Sequence, residues 1–196
     1  PIVSPHGHTD PKWFADNAPF SDPANLLFTP DHYLFRMLFS QGVPLEDMGI
    51  PRLDGQATEQ NPEKIWQTFA DHYHLFIGTP SRIWLDHALH EVFGVEVQLD
   101  SSSAVHIYDL IADKLKDKAY LPRALFERFN IEFLATTESA LDDLADHDKI
   151  QASGWAGKVV TTYRPDAVVD PEYEGFAENL RQLAEITNEA THTWKG

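Results

Sequence analysis

The sequence of 196 residues contains no cysteine. Disulfides are therefore excluded, as is any metal site built on thiolate, so an ion held by this chain must be bound by histidine and carboxylate. Basic side chains are scarce as well: 15 Lys and Arg face 31 Asp and Glu, for a formal charge of -16. That balance opposes association with nucleic acid or an anionic lipid surface, and a negatively charged small substrate would need a local arginine. No apolar run reaches the length of a membrane span, no secretory signal pattern occurs, and no internal repeat or low-complexity tract is present. These absences lead to the expectation of a cytoplasmic protein with neither a nucleic-acid nor a membrane partner. The 42% hydrophobic and 12% aromatic content is enough to bury a core.

The chain opens on Pro1-Ile2-Val3-Ser4-Pro5-His6-Gly7-His8, a short apolar run ending in two histidines one residue apart. In extended backbone, residues i and i+2 face the same way, so His6 and His8 can offer two imidazoles to one ion. A strand that ends in such a pair suits the C-terminal end of the first strand of a (β/α)8 barrel, where such folds build their sites. The competing reading is a disordered terminus or tag remnant with two solvated rings. A tag would be a longer histidine run without the apolar strand before it.

Periodicity divides the rest into a helical middle and a region where strands return. Asp-Pro and Ala-Pro pairs near Asp10, Ala18 and Asp22 suggest a loop, and Thr29-Pro30 looks like the cap and first residue of a helix ending near Gln41. Further helices are expected from Asn61-Pro62 to Tyr73, from Thr79-Pro80 through Ile83, Trp84, Ala88 and Val92 to Gly94, over 102–115, and from Pro122 to Phe129. Strands are expected at 130–137 and 159–164, with a helix over 139–150 between them that turns Leu141 and Leu144 inward, and a last helix over 171–191. A strand, helix, strand unit of this kind makes a parallel sheet. The expected organisation is residues 1–29 as first strand and metal-site loop, 30–129 as helical insertion, and 130–196 as second and third strands with their helices.

His6-Gly7-His8 at the end of a strand, the helix start Asp31-His32-Tyr33, and the late Thr162-Tyr163-Arg164-Pro165-Asp166 together resemble the uronate (glucuronate) isomerases of the amidohydrolase superfamily. No one of these motifs is specific; their order and spacing carry the resemblance, which spans nearly the whole chain. It implies an α/β fold, namely the N-terminal part of a metal-dependent-hydrolase-type (β/α)8 TIM barrel with a large helical insertion. It also implies an aldose to ketose isomerisation of D-glucuronate or D-galacturonate. Carried over, His6 and His8 are metal ligands for a divalent ion, expected to be zinc, His32 and Tyr33 stand beside the reacting carbons, and Arg164 faces the uronate substrate. The chemistry suits these side chains: moving a proton between adjacent carbons needs a base, an acid and an electrophile on the carbonyl oxygen, and a guanidinium recognises a carboxylate at two points.

Two departures accompany the resemblance. Ser4 stands where many members carry an acidic residue two positions before the first metal histidine, which indicates a divergent branch. The family's aspartate ligand and further arginines would lie beyond residue 196, and a (β/α)8 barrel needs about 250 residues. The expectation is therefore an N-terminal piece of a longer enzyme, inactive alone, with homo-oligomerisation left open. The rival readings are a metal-dependent hydrolase of the same superfamily and a non-catalytic helical interaction domain. Other groups are expected to be structural: His72 and His74 point apart on a helix, and His87 and His90 lack a zincin glutamate. His106, His147 and His192 are read as surface or satisfied core, Trp66, Phe69, Trp84 and Phe93 as core, and Asp142, Asp143, Asp146 and Asp148 as a solvated helix face.

Overall fold

In the computed structural model, which describes residues 1–191 and 193, the elements follow the order β1 (Ile2–Ser4), α1 (Pro11–Asp16), α2 (Pro23–Leu27), α3 (His32–Ser40), α4 (Pro62–Asp71), α5 (Pro80–His87), α6 (Ala104–Lys114), α7 (Pro122–Arg128), β2 (Ile131–Ser139), α8 (Ala145–Ala152), β3 (Val159–Arg164), α9 (Asp166–Val169) and α10 (Phe176–Thr187). His192 lies outside the described residues. The fold is α/β, rich in helix with a small parallel sheet. It divides into two compact units, Pro1–Ala18 with Pro122–Gly196, and Pro19–Leu121. No helix among the described residues is long and apolar enough to cross a membrane.

The first unit is built on three parallel strands in the order β1-β2-β3. β2 is central, and its residues Leu134, Ala135 and Thr136 are buried on both faces, which suits the β-branched and small side chains of this run. Leu134 pairs with Val159, and both join Phe14, Phe126 and Ile150 in a core between the sheet and its helices. Side chains alternate along a strand, so Thr136 and Glu138 share that helix-covered face. Ala135, Thr137 and Ser139 of β2, with their partners Val160, Thr162 and Arg164 of β3, line the other face.

α1 is a helix where the sequence suggested a loop. Asp10 caps it by accepting from the Lys12 N–H at 2.9 Å, and Pro11 fills the first turn, so Asp-Pro here is a helix start. The guanidinium of Arg123 donates to the terminal carbonyls of Phe14 (2.8 Å) and Ala15 (3.3 Å), satisfying acceptors that a six-residue helix leaves open. The expected helix over 139–150 starts later, at Ala145, because pairing with β3 extends β2 to Ser139, opposite Arg164. Asp142 and Asp143 consequently lie in a loop, where their carboxylates accept from the N–H groups of Leu144 (2.8 Å) and Ala145 (2.9 Å). Leu141 and Leu144 are only partly covered, and the buried residue of α8 is Ile150.

The second unit is helical. Phe28, Leu34, Trp66, Phe69, Tyr73, Phe76, Ile107 and Ile111 are fully buried in its core, and the Trp66 indole N–H finds the Ala104 carbonyl at 3.0 Å. α2 is a second short helix hidden in an Asp-Pro pair, capped by Asp22 on the Asn25 N–H at 2.9 Å. α3 begins two residues later than Thr29-Pro30 suggests: its cap is Asp31, which accepts from the Tyr33 N–H at 2.8 Å, while the Thr29 hydroxyl turns back to Ala24 and Asn25. Trp84 is 69% exposed, contrary to its expected place in the core. The buried side of α5 is set by Leu85 and, after the helix loosens into a π turn over Ala88–Val92, by Leu89 and Phe93; Ile83 and Trp84 face out.

Burial of Tyr73, with the carboxylate of Asp86 accepting from its hydroxyl at 2.8 Å, holds its pKa well above the ordinary tyrosine value. Arg82 closes the group, donating to Asp86 at 2.7 Å with its guanidinium 4.0 Å above the Tyr73 ring.

Candidate functional site

After β1 the chain turns across the end of the sheet rather than continuing as strand. Thr137 on β2 donates its hydroxyl to the Gly7 carbonyl (3.4 Å), Thr162 on β3 donates to the Pro5 carbonyl (3.3 Å), and the Gly7 N–H donates to the Ala135 carbonyl (2.8 Å). Thr137 and Thr162 stand on the sheet face that also carries Arg164, so the His6-Gly7-His8 segment lies over that face. Gly7 packs closely there: a Cβ would meet the Ala135 carbonyl oxygen at 3.3 Å.

His6 and His8 converge. Their Nε2 atoms are 3.2 Å apart, with ring centroids 5.2 Å apart and the planes inclined at 62°. An ion bound to both nitrogens at the ordinary zinc–imidazole length of about 2.05 Å would subtend about 100° at the metal, close to the tetrahedral angle. The pair therefore fits a divalent ion as two ligands of its sphere. Among the described residues no group of three or more His, Asp or Glu could hold an ion.

Beside His8 opens a cleft of about 440 Å³ lined by His8, Thr9, Asp10, Pro11, Thr137, Glu138, Ser139, Asp142, Asp143, Ala145, Asp146 and His147. Its carboxylates make it a poor seat for an anion and a favourable surrounding for a cation. One of its members, Glu138, was not singled out in the sequence, and another, His147, was expected as surface or satisfied core. Glu138 is 8% exposed, and its Oε2 has no hydrogen-bond partner among the described residues. His147, on α8, lies with Nε2 2.9 Å from the Thr136 hydroxyl and 3.9 Å from Glu138 Oε2. The Thr136 hydroxyl also lies 3.1 Å from the Val160 carbonyl, so the tautomer of His147 decides which of the two partners receives its single hydrogen. Nothing local to Asp146-His147-Asp148 announces this, because the partners sit on β2, eleven and nine residues earlier.

Arg164 closes β3, paired in register with Ser139 at the C-terminal edge of the sheet, and is exposed. His32 and Tyr33 belong to the helical unit, where they form the first turn of α3. Their rings lie 4.2 Å apart at 34°, and Tyr33 is 66% exposed, so its phenol is open to a ligand and is no part of the core.

Three further histidines are engaged locally. His72 and His74 each lie with Nδ1 against a carbonyl of their own stretch, Thr68 at 2.8 Å and Asp71 at 3.2 Å, and His90 pairs with Glu91 at 2.9 Å.

Comparison with known proteins places these features in context. The glucuronate isomerase family model matches residues 1–196. The uronate isomerase of Mesorhizobium japonicum is 61% identical over all 196 residues, which make up 42% of that protein. The crystal structure of glucuronate isomerase from Caulobacter crescentus superposes with a TM-score of 0.93 at 49% identity, covering the whole of this chain and 40% of that one. That of uronate isomerase from Thermotoga maritima gives 0.88 at 26% identity, again over the whole chain and 41% of its own. The chain thus spans about two fifths of the length of the relatives it matches. On the strength of a match along its entire length, the chain belongs to the glucuronate isomerase family.

Proposed function

We propose that this chain is part of a uronate isomerase that interconverts D-glucuronate or D-galacturonate and the corresponding ketouronates in the cytoplasm. The observation that carries the reading is the convergence of His6 and His8 Nε2 at 3.2 Å on the sheet face that bears Arg164, in a chain whose full length matches the family. The reaction moves one hydrogen from C2 to C1 of the sugar and one proton between their oxygens, with no change in composition. When bound, the divalent ion, zinc by the ligand chemistry, supplies an electrophile for the carbonyl oxygen. His6 and His8 hold it as neutral imidazoles.

Tyr33 and His32, adjacent at the start of α3, are the groups that take and return the proton between the two carbons. Arg164 binds the uronate carboxylate or steadies negative charge on the enediolate; its fork suits either task. The acidic cleft beside His8 repels the carboxylate and leaves Arg164 as the cation on this sheet face to receive it.

The sheet is read as the beginning of a (β/α)8 barrel of the amidohydrolase superfamily. In that reading residues 1–29 form the first strand and metal-site loop, 30–129 a helical insertion, and 130–196 the second and third strands with their helices. The parallel order β1-β2-β3 and the placement of His-x-His and Arg164 at strand C-terminal ends support it. The matched relatives carry the name uronate isomerase, which favours isomerisation over a hydrolase use of the same histidines.

The experiment is to incubate the protein, at the full length of its relatives and loaded with zinc, with D-glucuronate and with D-galacturonate, following the sugar by NMR. Replacement of the aldose anomeric signals by those of a ketose is expected. Unchanged spectra for both sugars would overturn the assignment.

A further inference from the structure

Resting on that reading of the histidine pair, we infer that Thr137 and Thr162 are positioning residues for the metal site: their hydroxyls fix the peptide planes that aim His6 and His8. A peptide unit is planar, so fixing its carbonyl or its N–H fixes the whole unit. Three consecutive units determine where His6 and the approach to His8 point, and each is held by a different anchor. The Pro5–His6 unit is held through the Pro5 carbonyl by Thr162 at 3.3 Å. The His6–Gly7 unit is held through the Gly7 N–H by the Ala135 carbonyl at 2.8 Å. The Gly7–His8 unit is held through the Gly7 carbonyl by Thr137 at 3.4 Å.

This matters because β1 itself ends at Ser4, and the segment that carries both imidazoles has lost its strand ladder. One of the three anchors is backbone and survives any side-chain change. The other two are hydroxyls, placed by the register of β3 against β2, in which Thr137 and Thr162 are paired neighbours on one face. A threonine at each position also serves the strand, since its branched Cβ packs on the pleated sheet as valine would. The hydroxyl is therefore separable from the fold.

Groups that orient metal ligands without touching the ion typically change metal affinity by 10- to 100-fold when removed. Both hydroxyl contacts are longer than the usual 2.7–2.8 Å for a hydroxyl donor, so the lower end of that range is the expectation.

The test uses Thr137→Val, Thr162→Val, the double valine variant and the matching serine variants in the full-length protein. Zinc affinity is read by competition with a chromophoric chelator, and Tm is read on the metal-free proteins. The double valine variant should bind zinc about tenfold more weakly, the serine variants should bind as the parent does, and the metal-free Tm should not follow affinity. If zinc affinity survives His6→Ala with His8→Ala, the metal assignment itself fails. If those changes abolish binding while the valine variants bind like the parent, the positioning role alone is overturned. Equal weakening in the serine and valine variants would likewise overturn it, because the hydroxyl would not be the group that matters. Should the double variant not fold, the single valine and serine pairs make the same comparison.

Discussion

Adding one methyl group at Gly7 should damage the histidine pair more than the fold. The Cβ of Gly7→Ala would sit 3.3 Å from the Ala135 carbonyl oxygen and 3.5 Å from Ser4 Oγ. That carbonyl belongs to the central strand and accepts the Gly7 N–H itself at 2.8 Å, so the new atom presses on the acceptor that holds its own residue in place. Overpacking of this kind costs about 1–3 kcal/mol, and the loss of glycine's freedom in the unfolded chain returns about 0.4–1 kcal/mol. The net expectation is a destabilisation of about 1 kcal/mol, or a Tm lower by about 1 °C in a protein of the full length of the relatives, of which this chain is 42%. A displacement of a few tenths of an ångström at Gly7 is small for the sheet but large for two nitrogens 3.2 Å apart that share an ion. Zinc affinity should therefore fall by about tenfold or more, on the scale found when ligand-orienting contacts are lost. Differential scanning calorimetry and zinc competition on the full-length protein measure the two effects. A variant with parental Tm and parental zinc affinity would refute the claim that Gly7 is fixed by close approach to β2.

Arg164→Lys in the full-length enzyme keeps the charge and loses the planar fork, so kcat/KM for glucuronate should fall at least about tenfold, about 1.4 kcal/mol, and steady-state kinetics would show it. Phe14→Ala removes a ring stacked on Trp155 at 5.8 Å and edge-on to Phe126 at 5.8 Å, and should cost about 3–5 kcal/mol in urea unfolding. Stability should fall as pH rises above 10. Burial, chiefly, raises the Tyr73 pKa, and burial with nearby Asp22, Glu63 and Asp109 pushes Tyr108 up to about 12, so the folded state keeps phenolic protons that the unfolded chain releases from pH 10 upward. Tyr108→Phe should flatten the part of that loss between pH 10 and 12, as followed by circular dichroism. Asp31→Ala, which removes the α3 cap, should cost about 1 kcal/mol, while Thr29→Ala should cost less if Asp31 is the cap.

The readable parts of the sequence were those with local causes. Asn61-Pro62 and Thr79-Pro80 begin helices as their capping chemistry requires, with Asn61 accepting from the Glu63 N–H and Thr79 from the Arg82 N–H. The same chemistry at Asp10-Pro11 and Asp22-Pro23 starts α1 and α2, which were hidden because five or six residues hold too little apolar periodicity to distinguish a helix from a loop. The end of β2 was misjudged because Glu138 and Ser139 are strand only by pairing with Tyr163 and Arg164, twenty-five residues away. Trp84 was misplaced because two interleaved apolar sets compete on α5, and the π turn after it favours Leu85 and Leu89.

The closeness of His6 and His8 was foreseeable from their spacing, although β1 ends at Ser4 and the pair lies beyond the extended backbone the sequence suggested, and the strand that ends at Arg164 was legible from its β-branched run. The contacts of Glu138, Thr137 and Thr162 were not legible, since their partners lie on other elements, while His147 is the satisfied residue the sequence suggested.

At the centre stands the proposal that His6 and His8 hold the divalent ion on which a uronate isomerase site is organised. Its most direct test is the zinc content of the purified full-length protein and of its His6→Ala, His8→Ala double variant, measured by plasma mass spectrometry alongside turnover of D-glucuronate. Stoichiometric zinc and ketose formation are expected in the parent, and loss of both in a folded double variant. A double variant that keeps its zinc and its turnover would contradict it.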